Sequence, residues 1–463
     1  MAARMIRLFN VYFPIRTLLL PVCEAILVVG SFLLTTVWLV GPDAEIVLLY
    51  ENGLIKIAVI TVLTLFFSYY LDLYESQRMA ARGEIYFRLM LVLGMLSFVL
   101  AAGLVYDPES DIGHGHNVLV AGIALLAVFL VLWRRTYEWL LGLSLFRERV
   151  YVLGSGARAR AVAENLRSRR DAGMDVVGGA EGEETGGQMD RFASELRAFR
   201  LPNARLDRIV VALEDRRGAM PLRELLDLRL RGVTIENAVT LMERLSGKLQ
   251  LDGLNPSNLI FTEGFNVRPS MQLSRRLVSI AVASLALAIS LPFLPFIALA
   301  VRLSSPGPIF FHQTRVGLRG RAFSLHKFRT MRQNAEANGA VWAAKNDPRV
   351  TAVGRFLRKT RLDEIPQLWN VLCGDMGFVG PRPERPEFVA WLAGEIPFYD
   401  LRHMIPPGLT GWAQVRYGYG ASLEETKQKL EYDLYYVKHM SIGLDLLIIF
   451  ETIKTILLRR GSQ

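Results

Sequence analysis

Residues 275–302 read RRLVSIAVASLALAISLPFLPFIALAVR, and the fold turns on whether this run crosses a membrane or returns from it. The apolar part, Leu277 to Val301, is long enough for a transmembrane helix. Pro292 and Pro295 interrupt it. Each proline removes a backbone donor and crowds the preceding turn, so two this close break or sharply kink a helix. Arg275 and Arg276 precede the run, and Arg302, Arg315, Arg319, Arg321, Lys327 and Arg329 follow it. A full crossing would carry that basic block outside, against the bias of basic segments for the cytoplasmic face. A helix that enters, bends at the prolines and returns keeps it inside. Ser290, just before Pro292, can satisfy a freed carbonyl. The expectation is a re-entrant hairpin over 275–303, with an ordinary kinked span as the alternative.

Towards the N-terminus lie four more apolar stretches, about 17–41, 54–74, 86–106 and 117–133, each near the length of a membrane span. Arg4, Arg7 and Arg16 precede the first, and the loop after it carries Asp43, Glu45 and Glu51 without a cation. Arg78, Arg82 and Arg88 lie around the next loop, Asp107, Glu109 and Asp111 in the one after, and Arg134, Arg135, Arg147 and Arg149 follow the last span. Basic loops alternate with acidic ones, which puts both ends of the bundle in the cytoplasm. A buried soluble bundle would not predict that alternation. His114 and His116 could bind metal, but with no further ligands nearby a solvated loop is the simpler reading.

Composition agrees. The 463 residues allow two or three domains; 51% are hydrophobic, the mean hydropathy is +0.27 and the net charge is +10. Apolar mass and basic excess occupy different regions, as in a membrane protein with a basic cytoplasmic face. Nucleic acid is not an expected partner, because no compact nucleic-acid motif is present and the cations flank apolar segments. Two cysteines, Cys23 and Cys373, exclude a disulfide framework and a cysteine zinc site. The first apolar run lacks a small-residue cleavage pattern after it, so it is expected to stay as an anchor.

Residues 148–262 read as a small α/β domain. Strand-like runs at Val150–Leu153, Asp175–Gly179, Arg208–Leu213 and Gly232–Ile235 alternate with helical segments, which predicts a parallel, Rossmann-like sheet. Gly154 and Gly156 form a GxGxxA turn, a candidate nucleotide turn with Glu181 as a candidate ribose partner. The region is short for a two-lobed dinucleotide fold. A turn that merely closes a strand against its helix is the simpler reading. A regulatory or oligomeric role, such as a homodimer, is also compatible.

Beyond the broken apolar run, Ser304-Ser305-Pro306-Gly307-Pro308 is a turn before a short strand, Ile309–Phe311. In His326–Met331, Lys327 and Arg329 would share one face of a strand. They are candidates to grip a diphosphate; a basic face meeting lipid headgroups is the alternative. Next comes Thr360-Arg361-Leu362-Asp363-Glu364-Ile365-Pro366. Adjacent carboxylates among cations suit phosphoryl chemistry, one attacking and the other positioning it or a divalent metal. Arg361 and Arg382, the latter between two prolines, would hold phosphate oxygens. Asp363 and Glu364 are expected to open a helix with Pro366 in its first turn, where they could instead be a plain charge cap. The tail Ile442–Leu458, followed by Arg459-Arg460, reads as an amphipathic helix on the membrane surface.

Residues from about 273 to 460 resemble the bacterial sugar transferases, the polyprenyl-phosphate hexose-1-phosphate transferases. The likeness is carried by the proline-broken segment, Ser305–Pro308, Lys327–Met331, Leu362–Leu368, Gly374–Met376, Val379–Pro383, Pro407–Val415 and Tyr432–Val437. The spans and α/β domain resemble the large members of that family. Pro383–Phe388 resembles the branch associated with exosortase-type exopolysaccharide loci. The resemblance implies a UDP-sugar donor, Mg²⁺ at Asp363, undecaprenyl phosphate as acceptor, and Asp363 as nucleophile of an aspartyl phospho-sugar intermediate. Glu364 would orient it or help activate the lipid phosphate. Ser279 stands where many members carry an aspartate, which puts their usual hairpin salt bridge in doubt. The expected architecture is an α-helical membrane bundle over 1–147, a Rossmann-like α/β domain over 148–262 and a mostly α (α+β) monotopic catalytic domain over 263–463. A non-catalytic nucleotide-sensing scaffold is the rival function.

Overall fold

Helices make up most of the chain, as its long apolar runs require. The computed structural model describes all residues except 1–4, 9, 75–81, 107–114, 143–146, 170–172, 180–187, 200–204, 214–219, 252–258, 260–263, 334–346, 419–421 and 459–463. Arg4, Arg78, Asp107, Glu109, Asp111, His114, Glu181, Arg459 and Arg460 lie outside the described residues, as do the side chains of Arg16 and Arg82. Two compact units emerge: Met1–Ile6 with Phe13–Leu241, and Arg7–Tyr12 with Met242–Gln463. The second begins earlier than residue 263.

The chain opens on short strands β1 (Met5–Leu8) and β2 (Val11–Pro14). In the first unit follow α1 (Ile15–Val40), the short α2 (Ala44–Leu49), α3 (Gly53–Tyr70), α4 (Arg82–Tyr106) and α5 (Gly115–Gly142). Thr17–Leu49, Gly53–Tyr70, Gly83–Ala102 and His116–Leu140 are long and apolar enough to cross a membrane, as is Pro269–Ser304 in the second unit. Val28, Phe32, Ile57, Phe67, Val92, Leu96, Leu126 and Leu130 fill the bundle core. Trp38, Met90, Phe98 and Val120 face outwards, an apolar exterior suited to lipid rather than water.

Glu24 and Asp72 are buried acids in or beside the first two spans. Arg134 pairs with Glu24 at 2.6 Å and donates to Leu73 O at 2.8 Å, while Tyr74 OH donates to Glu24 at 2.6 Å. Arg88 lies 3.5 Å from Asp72 and donates to Leu71 O at 2.8 Å. Each buried acid therefore meets an arginine from another helix, and the pairs hold α1, α4 and α5 to the end of α3. Acids engaged this way fasten the helices of the bundle to one another.

Four parallel strands complete this unit: β3 (Glu148–Leu153), β4 (Met174–Gly179), β5 (Arg208–Val211) and β6 (Thr234–Asn237), in the order β4-β3-β5-β6. Helices α6 (Gly156–Ser168), α7 (Gln188–Ala198) and α8 (Leu222–Leu230) connect them, and α9 (Ala238–Ser246) follows. Gly154 has a packing reason: a Cβ there would lie 2.9 Å from the Ala212 backbone and 3.2 Å from the Ala159 Cβ.

In the second unit the apolar run is α10 (Pro269–Ser290), a 3-10 turn (Leu291–Phe293) holding Pro292, and α11 (Leu294–Ser304) with Pro295 in its first turn. Ser290 Oγ donates to Ala286 O at 2.8 Å. Strands β7 (Phe310–Val316) and β8 (Ala322–Phe328) form an antiparallel hairpin. Then come α12 (Ala352–Thr360), α13 (Gln367–Cys373), β9 (Gly377–Val379), α14 (Pro386–Glu395), β10 (Gly408–Thr410, parallel to β9), α15 (Trp412–Arg416), α16 (Leu423–His439) and α17 (Ile442–Leu457).

Both legs of the broken helix pack on this unit. Ala283 lies with Leu325, Leu368, Val371 and Met376; Ile297 and Val301 lie with Phe328 and Leu357. At the base of α10, Arg275 Nε pairs with Asp445 of α17 at 2.8 Å and Nη2 donates to Val379 O at 3.1 Å. Arg276 Nη2 donates to Leu372 O at 2.8 Å, meeting a carbonyl that α13 leaves unpaired at its end. Ser279 Oγ accepts from Phe378 N–H at 3.1 Å. The base is thus tied by Arg275 to Asp445, although position 279 holds no acid. On α17 the polarity is turned inwards: Asp445, Glu451 and Lys454 are buried, while Leu446, Phe450, Ile453 and Leu457 are exposed.

Candidate active site

Arg361 takes a left-handed conformation (φ 58°), ending α12 and starting a 3-10 turn over Leu362–Glu364. Pro366, with no N–H to continue the turn, precedes α13. The two carboxylates therefore do not open a helix, as expected from sequence, but sit on a tight turn between two helices. Gly354 makes the approach of α12 to the end of β8 possible, because a Cβ there would lie 2.0 Å from Thr330 O. Thr351 caps α12 by accepting from Gly354 N–H at 2.9 Å.

On this turn the two acids meet different surroundings. Glu364 Oε1 is 2.6 Å from Arg382 Nη2, 3.5 Å from Lys327 Nζ and 3.6 Å from Arg361 Nη1. Burial pushes its carboxyl up, but Arg382, Lys327 and Arg361 outweigh that and hold it well below the usual range. Asp363 is 7% exposed, and its Oδ1 is buried without a hydrogen-bond partner. Burial, reinforced by the Glu364 charge, pushes Asp363 up to about 6 against the pull of Lys327, Arg358 and Arg361. Lys327 is lowered to about 8 by burial despite Glu364. Glu364 raises Arg382 further.

Three of the four cations singled out from sequence, Lys327, Arg361 and Arg382, thus converge on Glu364. Arg329 goes elsewhere: it donates to Pro306 O at 3.0 Å and Ser305 O at 2.7 Å, holding the turn before β7. Strand β8 ends at Phe328, so Lys327 and Arg329 do not share a strand face. Asn370 escaped the sequence reading. Fully buried, it donates to Ser324 O at 2.8 Å and Asp375 Oδ2 at 3.0 Å and accepts from His326 N–H at 3.0 Å, fastening α13 to β8. A polar residue in the apolar run of α13 was its only signal. Trp412 is core, its indole N–H donating to Gly247 O at 2.8 Å.

Among the described residues no group of three or more His, Cys, Asp and Glu is arranged to hold a metal. Mg²⁺ does not need such a cage, since it keeps several waters and takes one or two carboxylates plus substrate phosphates. The unpartnered buried oxygen of Asp363 fits that donor set.

Residues 270–459 match a family described as bacterial sugar transferase. A UDP-glucose:undecaprenyl-phosphate glucose-1-phosphate transferase of Escherichia coli K12 is 32% identical over 427 residues, covering 90% of this chain and 91% of that protein. A UDP-N-acetylgalactosamine-undecaprenyl-phosphate N-acetylgalactosaminephosphotransferase of Aeromonas hydrophila is 42% identical over 234 residues, 50% of this chain and 55% of that protein. A UDP-glucose:undecaprenyl-phosphate glucose-1-phosphate transferase of Caulobacter vibrioides is 40% identical over 209 residues, 44% of this chain and 78% of that protein.

Proposed function

The chain belongs to the bacterial sugar transferase family, and from that premise we propose that it moves a hexose-1-phosphate from a UDP-sugar to undecaprenyl phosphate, the first step of an exopolysaccharide. The observation that carries the mechanism is the contrast between the two acids. Glu364 is occupied by three cations, whereas Asp363 keeps a buried oxygen without a partner. Asp363 attacks the sugar-bearing phosphorus; an oxygen–phosphorus bond forms, the bond to UMP breaks, and UMP leaves as an anion. An oxygen of undecaprenyl phosphate then attacks the same phosphorus, and the Asp363 carboxylate departs, leaving the sugar on a lipid diphosphate. Glu364 gathers Arg382, Lys327 and Arg361 beside the reacting phosphate, where prearranged cations stabilise developing charge. Mg²⁺, held by Asp363, would supply further neutralisation of the donor phosphates.

Packing supports a re-entrant hairpin that brings this chemistry to the lipid. Ile365, next to the dyad, lies against both the Ala283 cluster and the Ile297–Val301 cluster. In a straight helix Ala283 and Val301 would be about 27 Å apart, too far to share one isoleucine. With both legs returning and the loop charges alternating as they do, the dyad belongs at the cytoplasmic face of the inner membrane. The parallel sheet is read as Rossmann-like, with Gly154 serving packing.

The test is a mass assay of lipid-linked product with UMP release, run across several UDP-sugars because the relatives differ in sugar. Wild type is expected to require lipid phosphate and Mg²⁺, and Asp363→Asn to lose product formation by roughly 10³-fold or more. Retained turnover in Asp363→Asn overturns the mechanism.

A further inference from the structure

Pro381 and Pro383 have no N–H, so the segment that presents Arg382 is held largely by its carbonyls. Gly408 N–H donates to Pro381 O at 2.9 Å, Arg402 Nη2 to Arg382 O at 2.9 Å, Arg315 Nη1 to Pro383 O at 3.1 Å and Val316 N–H to Glu384 O at 2.9 Å. The bond at Arg382 itself comes from Arg402. That guanidinium is held through its two terminal nitrogens and one face: Nη2 is 2.8 Å from Asp433 Oδ2, Nη1 donates to Tyr399 OH at 2.7 Å, and the group lies over the Tyr399 ring at 5.2 Å. Arg402 is 7% exposed and Asp433 3%. Burying an ion pair gains little net stability, because both charges lose their water. A buried pair that ends on a backbone carbonyl is better suited to fixing a direction.

We propose that Arg402, braced by Asp433 of α16 and Tyr399, is a positioning residue that aims Arg382 at Glu364. It touches neither carboxylate of the dyad. Its role is to hold the Arg382 backbone so that the guanidinium stands 2.6 Å from Glu364, beside the phosphate in transit. The inference rests on the transferase reading above. Lysine cannot replace Arg402, since one ammonium cannot reach a carboxylate, a phenol oxygen and a carbonyl along the fixed fork of a guanidinium.

A double-mutant cycle in the full-length protein decides it, with UMP release and lipid-linked product both measured. Arg402→Met is expected to lower kcat on the order of 10²-fold, with KM for the UDP-sugar changed less than about threefold, as for an interaction realised in the transition state. In an Arg382→Ala background, Arg402→Met is expected to cost nothing further, because its effect passes through Arg382. A protein weakened only structurally would lose activity equally in both backgrounds. If Arg402→Met does not fold, Arg402→Lys and Tyr399→Phe run the same cycle, with a smaller loss that also vanishes without Arg382. Losses that multiply, or a folded Arg402 variant with wild-type kcat, overturn the proposal. Turnover that survives Asp363→Asn instead overturns the transferase reading, so the two failures are distinct.

Discussion

Asp363 and Glu364 are neighbours in the chain and titrate in opposite directions, and this difference has measurable consequences. Asp363 is raised to about 6, and as the proposed nucleophile it could attack phosphorus only in its ionised form. Going down in pH through about 6 should therefore remove the nucleophile, so kcat/KM should fall along a limb centred there. A pH–rate profile that stays flat to pH 4.5 would contradict the assignment. The same shift makes a stability prediction. A carboxyl whose folded pKa lies above its unfolded value favours the protonated fold. Its stabilising contribution is full below about 4 and is lost as pH rises to about 6. At pH 7 the ionised Asp363 then costs roughly 3 kcal/mol. Asp363→Asn should give an inactive protein that melts higher than wild type at pH 7, with the gap closing towards pH 4 in detergent-solubilised thermal unfolding. At this scale the sequence was informative where a residue sits in a charged or proline-flanked motif: the carboxylates beside Arg361, Lys327 in its basic run and Arg382 between two prolines. Arg329 was hidden by a strand ending one residue earlier than its alternation suggests. Arg402 and Asp433 carry no local pattern, because their meeting depends on how two separate helical segments pack.

Among the elements, the broken helix and α12 are the most exposed to test. Pro292 and Pro295 stop the ladder where the chain turns, and their rings cannot be accommodated in a straight helix. Replacing both with alanine permits a continuous span and pulls Ile297 and Val301 away from Phe328 and Leu357. Turnover should drop at least tenfold, and a cysteine placed at Ser305 should lose its labelling from the cytoplasmic side; unchanged labelling and rate would count against the bend. Two glycines make a contrasting pair. Gly354→Ala forces a methyl into the Thr330 carbonyl and should cost several kcal/mol, as an unrelieved backbone clash does. Gly394, on α14, has open space around its would-be Cβ, so Gly394→Ala should be neutral or stabilising by about 0.5–1 kcal/mol. Thermal unfolding of the two variants side by side checks this. The prolines made the break legible from sequence. What they could not reveal was which way α17 faces: amphipathicity gives two faces, and only the meeting of Asp445 with Arg275 turns the charged one inwards.

At the scale of the molecule, the residues of the proposed chemistry lie in one of two units, and its edge is set by packing rather than by hydropathy. Leu249 and Leu251 pack with Leu392, Tyr399 and Leu434, and Glu243 binds Lys438 at 2.8 Å and His439 at 2.7 Å. A fragment starting at Met242 should keep measurable lipid-linked product formation in vesicles, whereas one starting at residue 263 should be unstable and inactive. Equal behaviour of the two fragments would refute this. The four N-terminal spans could be read from their apolar runs alone, because that signal is local. Residues 242–251 could not, since nothing periodic links them to helices nearly two hundred residues away. The broken helix has one more consequence. Its shorter leg, Leu294–Ser304, is 11 residues and so about 16 Å long, roughly half the thickness of a hydrocarbon core. In the proposed re-entrant hairpin such a wedge would add area to a single leaflet. Catalysis by this protein should therefore be tuned by the lateral pressure of the lipid around it, rising where acyl chains are loosely packed and falling where they are crowded.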